Sequence, residues 1–205
     1  MRIEMDPWSP HGPELLESVE LLRKGGVLAI PTDSGYAMAC DLDAWKAIDR
    51  MYELKQSPRS HPLSLLFAEV DDIGRFSGPI SSLAYRTLKR VLPGPYTFIV
   101  AAGSEIPKRM HKKRRTIGVR VPDAAIPRAL ARFLGRPLVT TSLRLPNLDE
   151  ERFVVDPVDI EEVMGERLDG VIDGGFGLED PTTVVDLCEH PFELLRVGQG
   201  DVDAL

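Results

Sequence analysis

Cysteine is nearly absent from this chain: Cys40 and Cys188 are the only two. They show no CxxC spacing, which excludes an obvious zinc site and suits a reducing cytosol. Long apolar runs are missing as well. No window approaches the roughly 18 apolar residues that a spanning helix needs, so no membrane association is expected. The opening residues, MRIEMDPWSP, put acids and prolines where a signal peptide needs an apolar run, so no export signal is expected and the expected location is cytoplasmic. An excess of basic charge is also lacking. The net charge is −7, which argues against a surface that grips nucleic acid everywhere, although a local basic patch stays open. There is no Walker lysine motif, no nucleophile elbow, no HExxH and no paired Cys/His set, so no resident metal is expected. No repeat, low-complexity run or linker is visible.

What remains reads as one ordinary globular domain over residues 1–205, with a core of about 13–200. Apolar residues make up 43% and charged residues 28%, which argues against disorder. Pro13 to Lys24 predicts a helix, because Leu15, Val19 and Leu22 recur at helical spacing and Gly25-Gly26 stops them. Residues 27–30 (VLAI) predict a short buried strand ended by Pro31. Asp43 is placed to cap a second helix running to about Lys55, with Ile48, Met51 and Tyr52 on one side. Further strands are expected at Leu63–Phe67, Tyr96–Ala102, Thr116–Val121, Leu138–Thr141, Gly170–Asp173, Thr183–Leu187 and Glu193–Val197. Helices are expected at Ser81–Val91 and near 125–134 and 157–167. Strands separated by helices define an α/β layered fold. The late strands follow one another without helices, so the sheet is expected to be mixed.

Several segments carry polar chemistry at strand ends. Pro31-Thr32-Asp33-Ser34-Gly35-Tyr36 follows a buried strand directly, either as part of a ligand cleft or as a turn in which Asp33 and Ser34 bond their own backbone. The loop Lys55-Gln56-Ser57-Pro58-Arg59-Ser60-His61-Pro62 either binds phosphate or is simply solvated. His111-Lys112-Lys113-Arg114-Arg115 either contacts RNA phosphates or forms a solvated face. Arg120 lies inside an apolar strand, so it either pairs with a buried acid or points into a site. Thr140-Thr141-Ser142-Leu143-Arg144 ends a strand in three hydroxyls and a cation. Arg196, before Gly198, is another candidate phosphate ligand.

None of these segments is specific alone, but their joint order is. A strand followed by PTDSGY, a K-x-x-x-R loop, LPGPYTFIV, TIGVRVPD, PLVTTSL, PTTVVDL and LLRVGQG together resemble the YrdC-like family, from about Gly25 to Gly200. The details PTDSGY, TTSL and R-x-TIGVRVP look most like its YciO subgroup. The resemblance implies a twisted, open, mixed α/β sheet with flanking helices and a large concave cavity. It implies threonylcarbamoyl-AMP synthesis from threonine, bicarbonate and ATP with magnesium, feeding the threonylcarbamoyl modification of adenosine 37 in tRNA. By motif, Lys55, Arg59 and Ser142 would be catalytic. Thr32, Tyr36, Arg120 and Thr182 would hold the amino-acid substrate. Lys55, Ser142, Arg144 and Arg196 would hold ATP.

Two departures from the family pattern fall at the nucleotide end. Where the synthase loop reads K-x-R, this chain has Lys55-Gln56-Ser57, with Arg59 two residues further on. Where the family has S-x-N, this chain has Ser142-Leu143-Arg144. These departures leave the cleft in place and put full synthase activity in question. A second reading comes from a different class: the concave face grips tRNA or double-stranded RNA without catalysis, using Lys112, Lys113, Arg114 and Arg115.

Overall fold

The structure is a computed structural model that describes residues 1–58, 61–107, 110, 115–144 and 155–205. Its strands are β1 (Arg2–Glu4), β2 (Leu28–Thr32), β3 (Gly35–Asp41), β4 (Ser64–Leu66), β5 (Tyr96–Ala101), β6 (Thr116–Arg120), β7 (Leu138–Ser142), β8 (Gly170–Asp173), β9 (Thr183–Asp186) and β10 (Glu193–Arg196). Its helices are α1 (Pro13–Arg23), α2 (Trp45–Leu54), α3 (Ile73–Phe76), α4 (Ser82–Val91), α5 (Ala125–Leu134) and α6 (Pro157–Met164). All ten strands form one sheet in the order β1-β8-β2-β3-β7-β4-β6-β5-β9-β10. The sheet is mixed: β2 runs parallel to β8 and antiparallel to β3, and β5 runs antiparallel to β6 and parallel to β9.

Local chemistry explains most boundaries. Pro13 opens α1, where its missing N–H costs nothing. Gly25 then takes a φ of 84°, and the amide of Gly26 reaches back to the carbonyl of Leu21 at 2.8 Å. That left-handed step closes the helix as the Gly-Gly pair predicts. Asp43 behaves differently from expectation. It does not cap α2, whose N-cap residue is Ala44 with no side-chain bond. Instead the Asp43 carboxylate pairs with Arg136, and its own amide donates to Asp41 Oδ1 at 3.0 Å. A long-range ion pair has taken the carboxylate that local capping would have used.

The helices split between the two faces of the sheet. Side chains of α2, α3, α4 and α6, such as Ile48, Met51, Ile73, Leu88 and Ile160, share one core with Ala29, Met38, Leu65, Phe98 and Val119. Leu15, Val19 and Leu22 of α1 and Ile126 and Leu130 of α5 share the opposite core with Leu28, Ile30, Ala37, Ala39, Leu66 and Leu138. Leu28 and Ile30 are fully buried, and burial of such a side chain is worth about 1.5–3 kcal/mol. Strand β3 was not expected from the sequence. All seven of its residues are buried, because it is covered on both faces, so its apolar residues show no two-residue alternation. It pairs with β2 through Thr32 and Gly35, which makes Asp33-Ser34 the tip of a two-residue hairpin.

Candidate functional site: a cationic cleft on a floor of small side chains

Residues directly opposite one another in a sheet point to the same face. On the face that carries α1 and α5, Ala39 lies opposite Thr140, Thr140 opposite Ser64, Ser64 opposite Gly118, and Gly118 opposite Ile99. Ala37 lies opposite Ser142, and Leu66 opposite Arg120. Helix α5 packs on β2 and β4. The strands farther along the sheet therefore offer a row of hydroxyls, glycine and alanine instead of a packed apolar layer. At Gly118 a Cβ would sit 2.6 Å from Ser64 Oγ, so this part of the floor accepts no side chain without moving.

Three groups of polar side chains stand near the ends of these strands. At the β2–β3 hairpin, the guanidinium of Arg120 donates to Asp33 Oδ1 at 2.7 Å and to Ser34 Oγ at 2.9 Å. Arg120 is 8% exposed, and its Nε is buried without a partner. Burial depresses the Arg120 pKa, and the Asp33 carboxylate opposes that shift. The hairpin tip is tied locally by Thr32, whose hydroxyl donates to the Gly35 carbonyl at 2.6 Å and accepts from the Ser34 amide at 3.2 Å. Thr32, and not Asp33 or Ser34, thus makes the local turn bond.

The second group sits at β9 and β10. Thr182 and Thr97 share a hydrogen bond at 2.9 Å. Arg196 clasps Thr182, with Nε donating to its carbonyl at 3.0 Å and Nη2 to its hydroxyl at 3.0 Å. Burial depresses the Arg196 pKa first, followed by the nearby charges of Arg120 and Arg144. The next residue, Thr183, is fully buried and bonds the Gly200 carbonyl at 2.7 Å, which fixes the loop behind Arg196.

The third group lies at the end of β7. Lys55, at the C-cap of α2, donates to Thr141 Oγ1 and, at 3.3 Å, to the Ser142 carbonyl. Burial, with the Arg144 charge behind it, lowers its pKa from 10.5 to about 8. His61 belongs to the same cluster: burial and then the charges of Lys55 and Arg144 lower its pKa. Lys55, Arg120, Arg144 and Arg196 therefore act on one another electrostatically. Asp33 is the only carboxylate paired with any of them among the described residues. Among the described residues the cluster gathers four cations and one paired carboxylate, in a chain whose net charge is −7. Such a concentration is costly in the empty protein and is relieved by an anion.

The structure thus brings together Lys55, Arg120, Ser142, Arg144, Thr182 and Arg196, and Thr32 lies at the hairpin beside them. Tyr36 has another setting. It is 1% exposed, and its hydroxyl donates to the Gly175 carbonyl at 2.8 Å. Burial pushes its pKa above the ordinary phenol value. Ser57 Oγ turns back to the Lys55 carbonyl at 3.3 Å, after Gln56 at a φ of 51°. Arg59, Lys112, Lys113 and Arg114 lie outside the described residues. Of the basic run assigned to RNA, Arg115 is described; it is exposed, with a φ of 52°, just before β6. Sequence reasoning missed Ser34, His61 and Thr97 as site residues. All three stood in motifs already singled out, Thr97 within LPGPYTFIV, but nothing in Thr97 itself marks it before β5 is paired with β9.

A cluster of cationic side chains and hydroxyls at the strand ends and one hairpin of a large mixed sheet with flanking helices is what fold and site define. Residues 20–198 match the Sua5/YciO/YrdC family model, described as telomere recombination. The chain belongs to this family. It is 38% identical over 197 residues to the uncharacterized protein YciO of Escherichia coli strain K12, covering 96% of this chain and 94% of that one. The crystal structure of E. coli YciO superposes with a TM-score of 0.93 at 36% identity, covering 100% of this chain and 98% of that one. A threonylcarbamoyl-AMP synthase of Halorhodospira halophila is 31% identical over 166 residues, 80% of this chain and 85% of that one. The structure of P. abyssi Sua5 complexed with L-threonine superposes with a TM-score of 0.88 at 25% identity. That match covers 97% of this chain and 57% of that one. Among the described residues, no helix is long and apolar enough to cross a membrane.

Proposed function

We propose that the cleft binds MgATP together with threonine or a similar small amino acid and bicarbonate, and joins them into threonylcarbamoyl-AMP with release of pyrophosphate. The product would feed the threonylcarbamoyl modification of adenosine 37 in tRNA. The observation that carries this reading is the convergence of Lys55, Arg120, Arg144 and Arg196 around hydroxyl-bearing strand ends, with Asp33 as their one paired carboxylate among the described residues. The synthase relative and the threonine-bound Sua5 structure support the choice of anions.

Each residue has a physical task in this scheme. The amine of threonine and bicarbonate combine to a carbamate with loss of water. A carbamate oxygen then attacks the α-phosphorus, and the bond to the β-phosphate breaks as pyrophosphate leaves. Two anions must approach each other, so the cleft must hold both and balance the charge on the leaving group. Arg120, anchored by Asp33 and Ser34, places its positive charge toward a carboxylate or carbamate. Ser34 and Thr182 add hydroxyls beside it. Lys55, Arg144 and Arg196 bind the phosphates, and Arg59 is proposed to join them. The described residues contain no group of three or more His, Cys, Asp or Glu side chains that could hold a metal. Magnesium would enter with the substrate as MgATP, carried by phosphate oxygens and water. The test is incubation of the pure protein with MgATP, bicarbonate and threonine, followed by pyrophosphate release and product mass. Threonine-dependent pyrophosphate with the threonylcarbamoyl-AMP mass is the expected result. RNA affinity that falls steeply with salt, without any turnover, would instead favour a binding module.

A further inference from the structure

We propose that a second cavity, on the α5 side of the Asp33–Arg120 pair, binds a small organic cation carried on an apolar stem. The cavity measures about 390 Å³, and its walls include Pro7, Trp8, Pro31, Ile126, Phe176 and Asp123. Two of these are large aromatic side chains left almost bare: Trp8 is 88% exposed and Phe176 is 78% exposed. Bare aromatic rings at the mouth of a concave pocket are unusual for surface decoration and common where a ligand covers them.

Charge decides what kind of ligand fits. Three other charged or polar groups reach the cavity wall, and two of the charged ones are already committed. Asp33 accepts from Arg120 at 2.7 Å and from the Asp123 amide at 2.9 Å. Arg128 donates to the Ala68 carbonyl at 2.8 Å and to Glu69 at 3.1 Å and 3.2 Å. Thr32 spends its hydroxyl on Gly35. The carboxylate of Asp123 makes no hydrogen bond or ion pair among the described residues. The cavity therefore combines one uncommitted negative charge with two aromatic faces, whose quadrupoles attract cations. An anion is repelled there, and a neutral apolar molecule leaves the carboxylate without a partner. An amine on a short hydrocarbon body satisfies both the rings and the acid. The cationic cleft beyond Asp33 repels the same molecule, so the two sites have opposite preferences.

The chain contains two tryptophans, Trp8 and Trp45. In a Trp45→Phe variant, Trp8 is the sole tryptophan emitter. Titration of this variant with cyclohexylmethylamine should change its emission saturably. The neutral isostere cyclohexylmethanol should need a roughly tenfold higher concentration for the same change. Asp123→Asn should weaken the amine about fivefold or more. Trp8→Ala, followed by calorimetry, should lose binding, and both variants should keep the wild-type melting temperature because both side chains are exposed. An emission change that does not saturate, an equal response to amine and alcohol, or an unchanged affinity in Asp123→Asn would overturn the proposal.

Discussion

Replacing Lys55 by Met should make the empty protein more stable and the ligand-binding protein worse. Lys55 keeps its charge at neutral pH only against burial and the repulsion of Arg144, which bring its pKa from 10.5 to about 8. At about 1.4 kcal/mol per pKa unit, that displacement corresponds to roughly 3 kcal/mol of cost for the charged form. Water at the partly exposed ammonium screens some of this. The bonds to Thr141 and to the Ser142 carbonyl offset about another 1–2 kcal/mol. Methionine keeps the apolar stem and removes the charge. A net gain of about 1–2 kcal/mol should remain, which in a chain of this size is a rise in melting temperature of roughly 3–6 °C. The sign of the pH dependence follows from the same shift. The folded-state pKa lies below the unfolded one, so between about pH 8 and 10.5 the unfolded chain binds more protons. Wild-type stability therefore rises with pH across that window, and the advantage of the variant is full below pH 8 and fades toward pH 10.5. Affinity for MgATP should fall at least about tenfold, since a charge-assisted bond to phosphate is worth roughly 1.5–3 kcal/mol. Calorimetric melting of both proteins at pH 7 and pH 10, with and without MgATP, reads all of this. A variant less stable than wild type at pH 7, or an advantage that does not shrink by pH 10, would refute the reasoning.

The remaining predictions concern other residues of the cleft and its rim. Arg196→Ala should weaken MgATP binding by at least about tenfold with the fold intact, because it removes a guanidinium already oriented by Thr182; unchanged affinity by calorimetry in a folded variant would make Arg196 a purely structural clasp. The double change Ser57→Arg with Arg144→Asn should raise threonine-dependent pyrophosphate release above wild type, since a misplacement on the order of 1 Å can cost about a hundredfold in rate. A wild-type protein already as fast as the double variant would remove the premise. If the protein binds RNA, changing Lys112, Lys113, Arg114 and Arg115 together to Ala should lower that affinity and flatten its dependence on salt; an unchanged salt slope would leave that run a solvated face.

Much of the architecture was legible because it rests on local chemistry. The helical spacing of Leu15, Val19 and Leu22, the Gly25-Gly26 stop, and the apolar runs of β2, β5, β6 and β7 act over a few residues. The ordered motifs added the family and the large mixed sheet with flanking helices. Strand β3 was not legible, because a strand covered on both faces loses the alternation by which strands are recognised. The Asp43 cap failed for a related reason: Arg136, distant in sequence and close in space, took the carboxylate.

The sequence alone determined which residue types stand at the strand ends, and so which chemistry the chain could host. Only the tertiary structure decided which of them meet. Arg120 could have paired or pointed into a site, and it pairs: its Nη2 donates to Asp33 Oδ1 and to Ser34 Oγ near the hairpin tip, while its buried Nε has no partner among the described residues. Tyr36 and Thr32 stand in one motif, yet Tyr36 spends its hydroxyl on Gly175. Lys55, Arg144 and Arg196 lie far apart along the chain, and their mutual repulsion exists only once the sheet has closed around them. Coulomb and desolvation energies depend on distance in space and on exclusion of water. Neither quantity is written in the order of residues, so the cationic centre is a property of the fold.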